Sequence, residues 1–444
     1  MSGSIRRFAV ACAAIVAVPV LAGEAGSGAY ALAPVQLSAA AADVEASRPH
    51  AALDARGDAF AMWTESAPSG MTTMATIRPA GGTWPAAVRL AAGGYAQLAV
   101  DWRGDAVVAG LAFGQSTRIF AVYRRAGSGF GPARRISGPV AGPGSGSVSV
   151  AIDGAGRALV AWSDGTKVRV ATSNGGRRWS QRVLGAGGDP AVAIDRGGDA
   201  LVLWHVPAGA DGGFAGAWQL RGRPWKRPTA LSGPNGLLSL PGSPQLALDD
   251  AGDAVAVFPV WSRSTPSDTY LEAADARLGR AFTAPHKIGA GSDGASARLA
   301  LAPDGRAAVV YVDGRSDGSV WATGRKGARG RFSKPVELEA QNSLEPALAL
   351  SGAGQLAVWT QSTGSPILPQ QLELAGAVGG PDGSFAGPAE LGPIGNDCWN
   401  HRCLHGGAAS VALARDGHGV VAWVEKQDPT SGSGGTVVAA DVSP

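Results

Sequence analysis

Lysine, cysteine and helical periodicity are all scarce in this chain, and each scarcity excludes something. Lysine occurs only at Lys167, Lys226, Lys287, Lys326, Lys334 and Lys426. Arginine is scattered, never more than two in a row, charged residues make up 16% of the chain, and the formal net charge is +3. A nucleic-acid binder shows a basic stripe along the sequence, so nucleic acid is not an expected partner. No segment sustains a 3.6-residue apolar period, which argues against helices. Beyond the N-terminus no run approaches the roughly 20 apolar residues that would span a bilayer. A low charge fraction beside 45% hydrophobic residues excludes a disordered chain.

What is abundant is glycine, 66 residues, with 29 prolines, a composition that fits many short strands joined by tight turns. The first 31 residues read as an export signal. Arg6 and Arg7 form its positive region, Phe8 to Leu21 its apolar stretch, and Ala29-Tyr30-Ala31 a small-x-small cleavage site. The expectation is a secreted or envelope protein, 32–444, folded as one domain and monomeric.

One unit then repeats. An apolar-Ala-apolar-Asp-x-x-Gly segment opens at Ala52-Leu53-Asp54, and its turn glycine returns at Gly57, Gly104, Gly156, Gly198, Gly252, Gly305, Gly354 and Gly417. Units therefore start near 50, 97, 149, 191, 245, 298, 347 and 410. Asp at the first turn position accepts backbone N–H groups, and Gly at the fourth supplies the positive φ that closes a hairpin. Later units carry Ala302, Ser351 and Ala414 in place of that Asp, so the glycine is the more essential residue. A second strand follows each turn, as in Ala158-Leu159-Val160-Ala161-Trp162, apolar throughout as a strand covered on both faces must be. A third strand, a Gly-rich turn, an aromatic (Trp84, Phe130, Trp179, Trp225, Phe282, Phe332 or Phe385) and a fourth strand complete the unit.

Four-stranded units in series leave bare edges unless the series closes. The eighth unit ends at Pro444 after three strands, while Ala33-Pro34-Val35-Gln36-Leu37 is similar to the fourth strand Lys334-Pro335-Val336-Glu337-Leu338 of unit six. The expected fold is all-β: an eight-bladed β-propeller whose last blade is completed by an N-terminal strand at 34–38. Seven blades with unit seven outside the ring is the fallback.

The segment Thr172-Ser173-Asn174-Gly175-Gly176-Arg177-Arg178-Trp179 resembles the Asp-box, Ser/Thr-x-Asp-x-Gly-x-x-Trp, of sialidase-type propellers, with Asn174 in place of Asp. Other units keep the Gly and the aromatic, as in Gly81-Gly82-Thr83-Trp84. The resemblance implies a propeller and, if the activity came with it, an arginine triad, a Tyr nucleophile with a Glu partner and an Asp acid. The tyrosines past the signal are Tyr95, Tyr123, Tyr270 and Tyr311, each in or beside an expected strand, and no catalytic set can be named among them.

Cys398 and Cys403, in Asp397-Cys398-Trp399-Asn400-His401-Arg402-Cys403-Leu404-His405, are expected to form a local disulfide. A metal held with His401 and His405 is the alternative, in a spacing tight for one tetrahedral site. Carboxylate pairs such as Asp54 and Asp58 offer two ligands where calcium needs six or more, so they read as turn caps, and no cofactor is expected. The aromatics closing the second strands, Trp63, Trp162, Trp204, Phe258, Tyr311, Trp359 and Trp423, are expected between blades, Gly110 being the exception. Loop length varies in the second-to-third connections, such as Pro259 to Asp268 and Thr360 to Gln371, and in the linkers between units, such as Gly392 to Gly407. Both classes emerge on one face. There Trp261, Arg263, Asp313, Arg315, Trp399 and His401 are the candidate contacts for a glycan or protein ligand, with a sialidase-like exo-glycosidase as the rival reading.

Overall fold

The computed structural model of the chain describes residues 32–39, 43–140, 147–206, 213–231, 237–239, 244–262, 269–290, 297–313, 318–328, 330–340, 343–363, 370–380, 384–385, 387–399, 402–403, 409–425 and 435–442. These residues form eight antiparallel sheets and no helix. None of them lies in a helix long and apolar enough to cross a membrane.

Blade one sets the pattern. Its strands, from the axis outward, are Glu45–Leu53, Ala59–Ala67, Gly70–Arg78 and Val88–Ala92. Blades two to eight begin with the inner strands Gly94–Val100, Val148–Ile152, Gly188–Ile194, Gln245–Leu248, Arg298–Leu301, Ser343–Leu350 and Ala409–Leu413. Each inner strand touches the inner strand of the next blade, and that of blade eight touches blade one, so the ring is closed. Blade seven sits within it, and the seven-bladed fallback falls away.

The Asp-x-x-Gly turns form as their chemistry requires. In blade five one carboxylate oxygen of Asp249 accepts the backbone N–H groups of Ala251 (3.0 Å) and Asp253 (2.8 Å), and Gly252 closes the hairpin at φ 82°. Burial raises the pKa of the Asp249 carboxyl despite these bonds. In blades six and eight the capping carboxylate moves two residues on: Asp304 accepts from Arg306 N (3.1 Å) and Asp416 from His418 N (3.1 Å). Blade seven departs further, because Gly354 is not among the glycines with positive φ and Ser351 bonds Gly354 O instead.

Between blades the packing rule is small against large. The position two before each turn is alanine in all eight units: Ala52, Ala99, Ala151, Ala193, Ala247, Ala300, Ala349 and Ala412. Ala151 of blade three receives Val192 and Ile194 of blade four, and Ala99 of blade two receives Val150 and Ile152 of blade three. Ala349 meets Val411 and Leu413, and Ala412 meets Ala51 and Leu53, by the same offset. The second-strand aromatics fill the seams further out, with Trp63, Trp162, Trp204, Trp359 and Tyr311 among the largest fully buried side chains. In blade two the aromatic has moved to the adjacent strand. Gly110 lies directly opposite Phe120, and a Cβ on Gly110 would come within 2.9 Å of Ala96.

The termini meet in blade eight. Val35 and Gln36 pair with Ala439 and Val438, Leu37 N donates to Val437 O (2.7 Å), and the buried Ser38 hydroxyl accepts from Val437 N (2.8 Å). Arg78 of blade one adds an ion pair to Asp441 of blade eight.

Several segments read from the sequence as connections are strand. The second strand of blade five runs over Asp253–Ser262, that of blade seven over Gln355–Thr363, and the outer strand of blade seven over Ala389–Trp399. In the last of these, register shifts against Gln370–Gly379 step over Leu391, Ile394 and Asp397, while Gly392, Pro393 and Gly395, which made the stretch look like a linker, each pair across the strands.

Two substitutions check these interactions by thermal or denaturant unfolding. Asp249→Ala removes the shared acceptor and is expected to cost about 1–3 kcal/mol, whereas Asp249→Asn keeps an oxygen there and costs less. Ala151→Leu overfills a seam between blades and is expected to cost about 1–3 kcal/mol.

Candidate functional site

Each inner strand runs from the face that carries the second-to-third connections and the interblade linkers down to its Asp-x-x-Gly turn. Its first residues therefore surround the mouth of the central channel on the variable face. In four blades the strand begins with a bulge, between Ser47 and His50, Gly94 and Gln97, Gly188 and Ala191, and Leu344 and Ala347. Within each bulge one residue is left-handed: Arg48 (φ 54°), Tyr95 (φ 52°), Asp189 (φ 48°) and Glu345 (φ 46°). These are the only non-glycine residues with positive φ among those described, and all stand six positions before the turn. A side chain in that region costs on the order of 1–3 kcal/mol, and bulges of this kind re-aim side chains. Three of the four precede a proline, Pro49, Pro190 or Pro346, which donates no N–H to a ladder that the bulge has already interrupted.

Four positions before each turn stands a second ring: His50, Gln97, Ser149, Ala191, Gln245, Arg298, Ala347 and Ser410. Two of its members cap the free edge of the next inner strand, Ser149 Oγ accepting Val192 N at 3.1 Å and Ser410 Oγ accepting Ala51 N at 2.9 Å. His50 is pushed down to about 4 by burial first, then by the positive charges of Arg298 and Arg48. Arg298 belongs to blade six and His50 to blade one, so this coupling spans the channel. Burial also lowers the Arg298 guanidinium below its usual value, opposed by the Glu345 carboxylate of blade seven.

On the blade-two side the mouth carries an aromatic platform. Tyr95 and Phe113 are 38% and 48% exposed, with ring centroids 6.0 Å apart at 77°. The Arg48 guanidinium lies 4.4 Å from the Tyr95 ring centroid. An edge-to-face pair with a cation on one ring is rigid, and it presents an apolar surface beside hydrogen-bonding groups.

Three of the residues singled out from the sequence lie on this same face but in other blades. Trp261 is in the second strand of blade five opposite Thr269, Asp313 ends that of blade six opposite Ser319, and Trp399 ends the outer strand of blade seven opposite Arg402. They occupy three consecutive blades, five, six and seven. Arg263, Arg315 and His401 lie outside the described residues, as does His405. The backbone sets Cys398 opposite Cys403 in an antiparallel pair.

The sequence reading missed Arg48, His50, Tyr95, Asp189, Arg298 and Glu345. A signal for them exists, the fixed offsets of six and four from the repeat's own turn, but it emerges only when the units are superposed.

No family model matches the chain, and no curated protein does. Among solved structures it is similar to the BP39L lectin from Burkholderia pseudomallei, with 14% identity and a TM-score of 0.54 over 80% of this chain and 100% of that one. The polysaccharide lyase Uly1 matches with 9% identity and a TM-score of 0.47 over 75% of this chain and 90% of that chain. An α-L-arabinanase from Penicillium chrysogenum matches with 12% identity and a TM-score of 0.36 over 66% of this chain and 92% of that chain. The likeness to the lectin is one of fold.

The His50 shift has a testable sign. A histidine whose folded pKa is depressed makes the unfolded chain bind more protons, so stability present above the usual value of 6.5 declines as the pH falls toward about 4. His50→Gln is expected to flatten that decline in a pH series of denaturant melts.

Proposed function

We propose that this protein is exported and binds a glycan, without catalysis, at the channel mouth on its variable loop face. The observation that carries this reading is the exposed Tyr95–Phe113 pair with Arg48 against Tyr95, set beside the polar ring of His50, Gln97 and Arg298. Sugar rings have apolar C–H faces and hydroxyl edges. An aromatic platform takes the first, and amide, imidazole and guanidinium groups take the second. Bulged, left-handed backbone at four points of the rim means that the arrangement is held against a conformational cost, as binding sites commonly are. The fold is shared with a lectin, which agrees with this reading.

The longer loops of blades five to seven, with Trp261, Arg263, Asp313, Arg315, Trp399 and His401, would extend the site outward from the mouth. A disulfide between Cys398 and Cys403 would brace the last of these loops; their facing backbone positions suit one.

The rival reading, sialidase-like hydrolysis, needs a tyrosine able to attack a sugar. Tyr123 spends its hydroxyl on Gly156 O (3.0 Å), Tyr311 is among the fully buried side chains, and Tyr270 lies partly buried with Lys287 over its ring. Tyr95 stands at the mouth, but no described carboxylate bonds its hydroxyl as a partner to activate it. These placements favour binding over turnover.

A glycan array followed by titration calorimetry tests the reading. Tyr95→Ala and Phe113→Ala are each expected to weaken the selected glycan about tenfold, the loss of one stacking surface. Unchanged affinity in both variants, or release of fluorophore from a sialoside substrate by the wild-type protein, would sink it.

A further inference from the structure

The Asp-box-like segment takes no part in the mouth. It lies at the opposite end of blade three, where the hairpin between third and outer strands meets the corresponding hairpin of blade four. Between the two hairpins runs a groove of about 720 Å³, lined by Arg157, Arg178, Arg221 and Arg223 together with Asn174 and Gln219. The buried Asp153 carboxylate lines the groove, and Asp195 and Asp199 act on Arg157 from its border, Asp199 also accepting Arg221 N at 2.6 Å.

Arg157 is built into the wall. Its two terminal nitrogens donate to Gly198 O (2.7 Å) and Gln219 Oε1 (2.6 Å), and burial lowers its pKa. Arg178, Arg221 and Arg223 differ: all three are exposed, and none makes an ion pair or side-chain hydrogen bond. Some arginines elsewhere are engaged, Arg78 with Asp441, Arg169 with Asp164 and Arg306 with Asp304, while Arg89, Arg134 and Arg135 are exposed without an ion pair or side-chain hydrogen bond but do not line this groove. Arg177, Arg182 and Arg227 flank the groove on the same hairpins and are exposed as well. Arginines far apart in the sequence are thus gathered by the fold into one cationic patch. The buried Ser173 hydroxyl at the groove's edge also lacks a hydrogen-bond partner.

We propose that this groove is a second binding site, for a polysaccharide chain bearing carboxylate or sulfate groups. Guanidinium forks match such planar or trigonal oxyanions bidentately, and free ones in a concave groove have the least desolvation to lose. A groove between two hairpins suits a linear polymer better than a flat bilayer does. Single-stranded nucleic acid would call for aromatic faces to stack its bases, yet the hairpin aromatics here are inward: Trp225 is 8% exposed, and Trp179 is packed against the core of blades two and three. A duplex would call for a longer basic track than two hairpins bordered by the acidic turns of Asp195 and Asp199. This site is on the face away from the mouth and stands or falls apart from it.

The test is titration of the full chain with polygalacturonate, with heparin, with neutral dextran, with a 20-mer DNA duplex and with phosphatidylserine vesicles. Polygalacturonate reads the carboxylate source and heparin the sulfate source. One or both are expected to bind with an affinity that falls steeply with salt, and the exposed triple variant Arg178→Ala/Arg221→Ala/Arg223→Ala is expected to weaken it at least about tenfold at an unchanged melting temperature. Tyr95→Ala is expected to leave this binding intact, which separates it from the mouth. The proposal is overturned if neither polymer binds, if the triple variant binds as tightly as wild type, or if the duplex or vesicles bind as tightly as the polysaccharides.

Discussion

The whole ring depends on how closely adjacent inner strands can approach, and that distance is set by a methyl group. With alanine two positions before every turn, each blade presents a shallow face into which the branched side chains of its neighbour fit. Larger side chains there would push the blades apart near the axis, where wedge-shaped sheets have the least room. Farther from the axis the gap between sheets widens, and the seam is filled by tryptophan, tyrosine and phenylalanine. Small residues inside and large ones outside are therefore one gradient, and the ring size follows from its slope.

That gradient leaves the axis to polar groups. The inner strands have one edge without a strand partner, so their N–H and C=O groups must be satisfied otherwise. Ser149 and Ser410 do this by bonding the next strand's amide, and the same ring position in other blades carries His50, Gln97, Gln245 and Arg298. A position that the fold needs for edge satisfaction in some blades is thereby available for ligand chemistry in others. The bulges immediately above it add Arg48, Tyr95, Asp189 and Glu345 to the same rim.

The fold was legible in the sequence because its determinants are local and recur. Asp54 to Gly57 and its copies announce a hairpin on their own, and the unpaired third strand at the C-terminus pointed to Val35 as its partner. The residues of the candidate site were less legible. Loop length drew attention to Trp261, Asp313 and Trp399, in blades five to seven, while the exposed aromatic pair and its arginine assemble in blades one and two. Nothing in Arg48 or Tyr95 alone signals a left-handed bulge, and the positive charge of Arg298 bears on His50 from a blade far away along the chain. The groove of Arg178, Arg221 and Arg223 was hidden for the same reason. Arginines on separate turns read as ordinary surface until two hairpins bring them side by side.

The sharing of blade eight between the two chain ends also fixes an order of events. The stretch at Val35 is synthesised before the seven intervening sheets and its partner at Val438 after them, so this strand waits while those sheets form. Until then the circle is an open arc with two exposed flanks, and it gains the buried Ser38 hydroxyl bond only on locking. A rearranged gene that moved residues 32–39 behind Pro444 would make every sheet contiguous and leave the same circle without its clasp, trading resistance to opening for faster completion.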